Sequence, residues 1–124
     1  MSEPYTERLL DHYRHPRNRG RLEAPDLAAE EYNALCGDRV TIETRVQEGR
    51  IVELRFEGRG CALCLAAASI LTEALAGRAI DELEAMSGGD FLAELQSPVR
   101  PSRLGCALLP WRAFRRAAFG EEAS

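Results

Sequence analysis

A change of hydrophobic period just after Phe56 constrains this chain most. Before it, Val40, Ile42, Thr44 and Val46 alternate with polar residues, Glu48-Gly49 makes a turn, and Ile51, Val52, Leu54 and Phe56 continue in extended form. Two-residue alternation around a glycine turn predicts a β-hairpin with one buried face. Gly58-Arg59-Gly60 closes the hairpin, and Cys61 opens an Ala/Leu-rich helix that runs to Gly77, whose small residues let another element pack close. A hairpin feeding directly into an apolar helix favours an α+β arrangement, a small antiparallel sheet of about three strands with helices on one face.

The remaining elements fit around that centre. Tyr5, Leu9, Leu10 and Tyr13 form an apolar stripe over residues 5–15, ended by Pro16 and the Asn18-Arg19-Gly20 loop. A polar connector through Asp26 leads to a short stretch, Glu31 to Leu35. Residues 79–86 read as a short acidic helix ended by Ser87-Gly88-Gly89, and Phe91 to Leu95 as a further helical turn or two. Pro98 and Pro101 bracket a loop. The last helix carries Cys106, Leu108, Leu109, Trp111, Phe114 and Ala118, with a kink or a start expected at Pro110 because proline removes a helical hydrogen bond. Residues 1–124 are read as a single domain, a size that buries enough core to need no disulfide staples.

Composition narrows the function classes. Acidic residues (20) outnumber basic ones (16), all of them arginine, which argues against a nucleic-acid module. Arg14, Arg17, Arg19 and Arg21, and separately Arg112, Arg115 and Arg116, are local basic clusters, read either as solvated faces or as attractants for an acidic partner. The longest apolar stretch falls short of the roughly 20 residues of a membrane span, and the first residues are acidic where a secretion signal is basic and apolar. A cytoplasmic protein is expected, and in that reducing compartment cysteines serve as metal ligands, nucleophiles or core residues.

Three of the four cysteines fall at predicted ends of elements: Cys36 before the hairpin, Cys61 at one helix start and Cys106 near another. Gly37 permits a tight turn that aims Cys36 and Asp38 at one point. Three thiolates and one carboxylate, Cys36, Asp38, Cys61 and Cys106, make a tetrahedral set for Zn2+ or ferrous iron, and the hard oxygen among soft sulfurs makes such a site easier to open. Arg103, three residues before Cys106, is placed to offset its negative charge. Helix N-termini are expected to lower the thiol pKa of Cys61 and Cys106. Cys64 completes a Cys-x-x-Cys with Cys61, which a thioredoxin-like redox site would use; a small buried residue is the simpler reading. His12 and His15 are read as surface residues outside the ligand set.

These residues resemble the U-type iron-sulfur cluster assembly proteins (IscU, SufU and the N-terminal domain of NifU). Asp11 to Gly20 (DHYRHPRNRG) is similar to the family's Asp-His-Tyr-x-x-Pro-Arg-Asn-x-Gly opening, Asn33 to Asp38 (NALCGD) to its Asn-Pro-x-Cys-Gly-Asp turn, Phe56 to Ser69 to the segment of the second family cysteine, and Arg103 to Cys106 to that of the third. The resemblance implies Cys36, Asp38, Cys61 and Cys106 as ligands of a metal ion or a [2Fe-2S] cluster. It also implies a cysteine desulfurase of the SufS/IscS type as sulfur donor, downstream apo-proteins or a carrier as recipients, and either cluster assembly or zinc-dependent sulfur relay. Cys106, beside the proline-flanked loop, is the expected persulfide acceptor. Arg103 and Trp111 look like the SufU branch, whose usual insertion between the second and third cysteines is missing. At residue 105 the IscU branch has His and the SufU branch commonly Lys, whereas this chain has Gly105. Other departures are Ala34 for the turn proline and Cys64 for the usual Ser. The Leu-Pro-Pro-Val-Lys chaperone segment is absent beside Cys106, Pro98-Val99-Arg100 being similar but displaced, so chaperone binding is not expected; nor is nucleic-acid or membrane binding. The alternatives are a structural zinc or interaction module and, through Cys61 and Cys64, a thiol redox protein.

Overall fold

The computed structural model describes residues 5–120. Three strands, β1 (Leu27–Asn33), β2 (Asp38–Gln47) and β3 (Arg50–Arg59), form an antiparallel sheet in the order β1-β2-β3. The expected hairpin is β2–β3, with Val40, Ile42, Leu54 and Phe56 buried. The expected stretch at Glu31 begins earlier and becomes a full edge strand. Its inward residues are Leu27, Ala29 and Glu31. Glu31 faces the interior because the Arg116 guanidinium meets its carboxylate at 2.6 Å, which neutralises a charge that would otherwise oppose burial.

Helices α2 (Ala62–Leu75) and α5 (Leu104–Phe119) cover the inner side of the sheet. α2 is apolar nearly all round and is buried accordingly, from Leu63 through Leu75 except on its outermost positions. α1 (Glu7–Arg14) packs on α2, capped by the Thr6 hydroxyl, which accepts the Leu9 N–H. α3 (Ile80–Glu84) is short, and its end is held by Arg115, which donates to the carbonyls of Leu83, Glu84 and Met86.

One helix boundary differs from the sequence reading, and one choice it left open is decided. Ser87-Gly88-Gly89 does not end a helix but starts α4 (Gly88–Leu95). The Ser87 hydroxyl accepts the Asp90 N–H at 3.0 Å, and the Asp90 carboxylate accepts the Ser87 N–H at 2.9 Å, a reciprocal cap. α5 starts at Leu104, after a 3-10 turn over Pro101–Arg103, and continues through Pro110. Proline has no N–H, so the Cys106 carbonyl four residues earlier lacks its usual helical donor. Stacking of Trp111 on Phe91 and Phe114, each at 5.9 Å between ring centroids, holds this part of the helix in place.

The Asp11 to Gly20 segment ties α1 to α2 and β3. Asn18, at φ 58°, turns the chain so that its carbonyl accepts the Phe56 N–H and the Gly20 N–H reaches the Phe56 carbonyl. His12, expected at the surface, is buried, with Nδ1 2.7 Å from Ser69 Oγ; His15 is exposed. Ser69 Oγ also accepts the Arg17 N–H at 2.9 Å, and His12 Nε2 faces Glu73 at 3.7 Å. The imidazole pKa lies below its usual 6.5, first because of burial and then because of the Arg17 charge, with Arg8 acting alike and Glu73 and Asp11 opposing. A depressed pKa means that the unfolded chain binds the proton first, so this stabilisation is complete above the unfolded value and is lost as pH falls through the folded one. The urea midpoint should therefore drop as pH falls below the usual imidazole range near 6.5, and drop less in His12→Asn. An unchanged slope in that variant would assign the acid sensitivity to other groups.

The basic clusters are largely consumed by such ties. Arg17 pairs with Asp11, Arg19 with Glu57, Arg21 with Glu43 and Arg116 with Glu31. No helix among the described residues is long and apolar enough to cross a membrane.

Candidate metal centre

The turn between β1 and β2 supplies the first two candidate side chains. Residues 34–37 form its loop, with the Gly37 N–H bonded to the Asn33 carbonyl at 2.7 Å and Gly37 at φ 78°, the left-handed conformation expected of it. Cys36, ahead of the β2–β3 hairpin as expected, therefore also lies inside the β1–β2 turn. Its thiol is exposed, while Asp38, the first residue of β2, is 4% exposed. Cys61 is the N-cap of α2, and Cys106 lies in the first turn of α5.

Packing of α2 and α5 against the hairpin end brings these groups together. One ligand atom from each of Cys36, Asp38 and Cys106 lies within 4.8 Å of the other two. The Cys36 and Cys106 sulfurs are 3.6 Å apart. The Cys61 sulfur lies 3.5 Å from Asp38 Oδ2, joining the cluster from the carboxylate side but outside that mutual set. The Arg103 guanidinium bonds the sulfurs of Cys61 and Cys106, and the bond to Cys61 is the first reason its proton is held more tightly than usual. Gly60 is needed here: a Cβ on it would lie 2.9 Å from Asp38 Cγ.

Cys106 does not have the lowered pKa expected of a helix start. Its thiol is pushed up to about 12, first by burial and then by its bond to Cys36, against the opposing bond from Arg103. The field of a helix N-terminus is a smaller effect than removing a thiolate from water. Cys106 is 6% exposed, so the accessible thiol of the pair is Cys36, the reverse of what the proline-flanked loop suggested. Cys64 is fully buried beneath the cluster, and burial pushes its thiol well above the usual range. A core cysteine in that state is a poor partner for dithiol redox chemistry. His12 and His15 are absent from the cluster. Sequence reading missed Gly60 and the shaping role of Asn33; the signals were a glycine directly before Cys61 and an Asn two residues before an N–H that must turn.

Residues 4–120 match the NifU-like N terminal domain family. The chain belongs to this family. It is 30% identical over 135 residues to the zinc-dependent sulfurtransferase SufU of Bacillus subtilis, covering 95% of this chain and 91% of that one. It is 34% identical over 113 residues to the iron-sulfur cluster assembly scaffold protein IscU 1 of Archaeoglobus fulgidus, covering 91% and 73%. The bifunctional protein NifU/MnmA of Rubrobacter xylanophilus is 38% identical over 118 residues, 94% of this chain but only 24% of that longer protein. The crystal structure of FiSufU from Fervidobacterium islandicum superposes with a TM-score of 0.79 at 25% identity, covering 92% of this chain and 96% of that one. In this NifU-like domain the candidate centre thus sits where a hairpin turn and two helix starts meet.

Proposed function

We propose that this NifU-like domain works in iron-sulfur cluster assembly by accepting sulfane sulfur, at a centre made of Cys36, Asp38, Cys61 and Cys106, from a persulfide donor of the cysteine desulfurase class. The observation that carries this reading is the convergence of Cys36, Asp38 and Cys106 within 4.8 Å, one thiol of the three being exposed. The donor set fits a metal. Thiolates on a tetrahedral ion, with metal-sulfur bonds near 2.3 Å, stand roughly 3.8 Å apart, against 3.6 Å for Cys36 and Cys106 here. A bound Zn2+ would hold Cys36, Cys61 and Cys106 as thiolates with Asp38 as the exchangeable ligand; a [2Fe-2S] cluster would be cargo on the same side chains.

Cys36 is the natural point of entry. Its proton goes to solvent, the thiolate attacks the terminal sulfur of the donor persulfide, a sulfur-sulfur bond forms on Cys36, and the donor's own sulfur-sulfur bond breaks to release a thiolate. The sulfane sulfur changes owner with no net oxidation. Cys106, 3.6 Å away, is the next thiol that can take it, and Arg103 supplies positive charge beside the sulfurs.

The test is to mix the protein with a cysteine desulfurase and cysteine and to map added sulfur by peptide mass spectrometry; sulfur on none of the cysteines would sink the proposal. Metal analysis of protein purified without air, paired with its visible spectrum, separates the two modes, a stoichiometric colourless zinc marking relay and a brown cluster marking scaffolding. For a reconstituted cluster, Asp38→Ala is expected to lengthen its life severalfold by removing the poorest ligand for iron-sulfur chemistry. Faster loss of visible absorbance would overturn that role.

A further inference from the structure

The face of the sheet turned away from the helices carries one row that breaks its own charge pattern. Toward the β2–β3 turn, residues directly opposite on the two strands have opposite charges: Glu43 faces Arg55, and Arg45 faces Glu53 with an ion pair at 3.0 Å. At the other end Arg39 stands directly opposite Arg59. Like charges in that relation destabilise a sheet, and the chain does little to offset them. Arg39 reaches the Glu30 carboxylate only at 3.9 Å, and Arg59 has no ion-pair partner among the described residues. Tyr32 completes the row on β1, in register with Arg39, half exposed and 5.5 Å beneath its guanidinium. The row borders the candidate centre. Arg39 follows Cys36 by three residues, Arg59 precedes Cys61 by two, and Leu35, next to Cys36 in the turn, is 98% exposed.

We propose that Tyr32, Arg39, Arg59 and Leu35 form the docking face for the sulfur-donor protein, whose matching surface is acidic with an apolar socket. Charge argues for that chemistry. The chain as a whole carries a formal charge of -4, so two poorly compensated guanidinium groups beside the exposed Cys36 thiol turn an acidic surface toward this end of the sheet while the rest of the molecule repels it. Arginine and tyrosine are the residue types that concentrate contact energy at protein interfaces. Leu35 leaves nearly all its apolar surface in water, and burial in a partner removes that cost. This inference rests on the proposed function, since it assigns the donor's approach to the same thiol.

The experiment compares initial rates of sulfur uptake from two sources: a cysteine desulfurase with cysteine, and a small neutral alkyl persulfide, which needs no docking face. Arg39→Glu and Arg59→Glu are each expected to lower kcat/KM with the desulfurase about tenfold at low salt, through KM, and to flatten its fall as salt is added. Leu35→Ser should lower it to a similar extent at every salt concentration. All three should take sulfur from the alkyl persulfide at near the wild-type rate. Arg50→Glu makes the same charge change roughly 30 Å away along β3 and should leave both rates unchanged. Urea midpoints at or above the wild-type value in the two arginine variants, as relief of a like-charge pair requires, exclude misfolding as the cause. Wild-type desulfurase kinetics in Arg39→Glu and Arg59→Glu, with uptake from both sources intact, overturn the docking face alone. Uptake by the wild-type protein from neither source overturns the proposed function and this inference with it. An equal loss with both sources would place the arginines' effect at the thiol itself, and a dimer of this chain broken by Arg59→Glu would give the face to a second copy; either result overturns the proposal.

Discussion

Cys36→Ser is expected to bring persulfide formation on this chain down by about a hundredfold, to background, while Cys64→Ala leaves it near the wild-type level. The reason is exposure. Cys36 stands in an exposed turn, whereas Cys106 is 6% exposed behind it and Cys64 is fully buried. A donor persulfide must bring its terminal sulfur into line with the attacking thiolate, and a buried thiol gives no such approach. Cys106→Ser should still take up sulfur, now held on Cys36. The measurement is the initial rate of sulfur addition by mass spectrometry, with the modified peptide identified. Full uptake by Cys36→Ser, located on Cys106, would restore to Cys106 the acceptor role that its place in the sequence suggests.

Gly60→Ala is expected to weaken zinc binding by roughly 10–100-fold, the scale seen when the support of a ligand is disturbed. The added methyl would lie 2.9 Å from Asp38 Cγ and 3.2 Å from its Cβ and Oδ1. Asp38 is buried at the start of a paired strand, so it has to turn away from the sulfurs to make room. Gly58→Ala is the contrasting variant. There the new Cβ would be 2.2 Å from the Arg39 carbonyl oxygen, inside the β2–β3 pairing, and the expected loss is stability, about 1–3 kcal/mol or more. Competition with a chromogenic chelator and urea unfolding, run on both variants, separate the two effects. Unchanged zinc affinity in Gly60→Ala would show that Asp38 is not a ligand.

The contrast between these two glycines illustrates what a sequence reveals. Gly58-Arg59-Gly60 reads as one hairpin end, yet one glycine protects a backbone ladder and the other a carboxylate, because each faces a residue some twenty positions earlier in the chain. The β2–β3 hairpin was legible since its alternation is local. β1 was not, because its inward side includes Glu31, and only Arg116, 85 residues away, makes that acceptable. The same holds for His12, whose partner Ser69 is 57 residues distant. At Pro110 the sequence left a kink and a helix start open; α5 starts earlier, at Leu104, and runs through the proline, with Trp111 stacked on Phe91 and Phe114 beside it. The start of α4 was readable in Ser87-x-x-Asp90, a cap hidden by two glycines. For the centre, the types and element ends of Cys36, Asp38, Cys61 and Cys106 were legible. Which thiol is exposed was not, since burial depends on how α5 docks.

Cys36 and Cys106 are 70 residues apart, and α5 follows every other described element. A chain emerging from the ribosome therefore presents Cys36, Asp38 and Cys61 well before the segment bearing Cys106 has been made. Until that segment docks, the nascent chain carries loose thiols and an apolar sheet surface with half its cover missing, a state open to oxidation and to aggregation. At the proposed centre, ion affinity would arise only once the α5 segment has docked, and a metal captured then would draw its binding energy from that docking step.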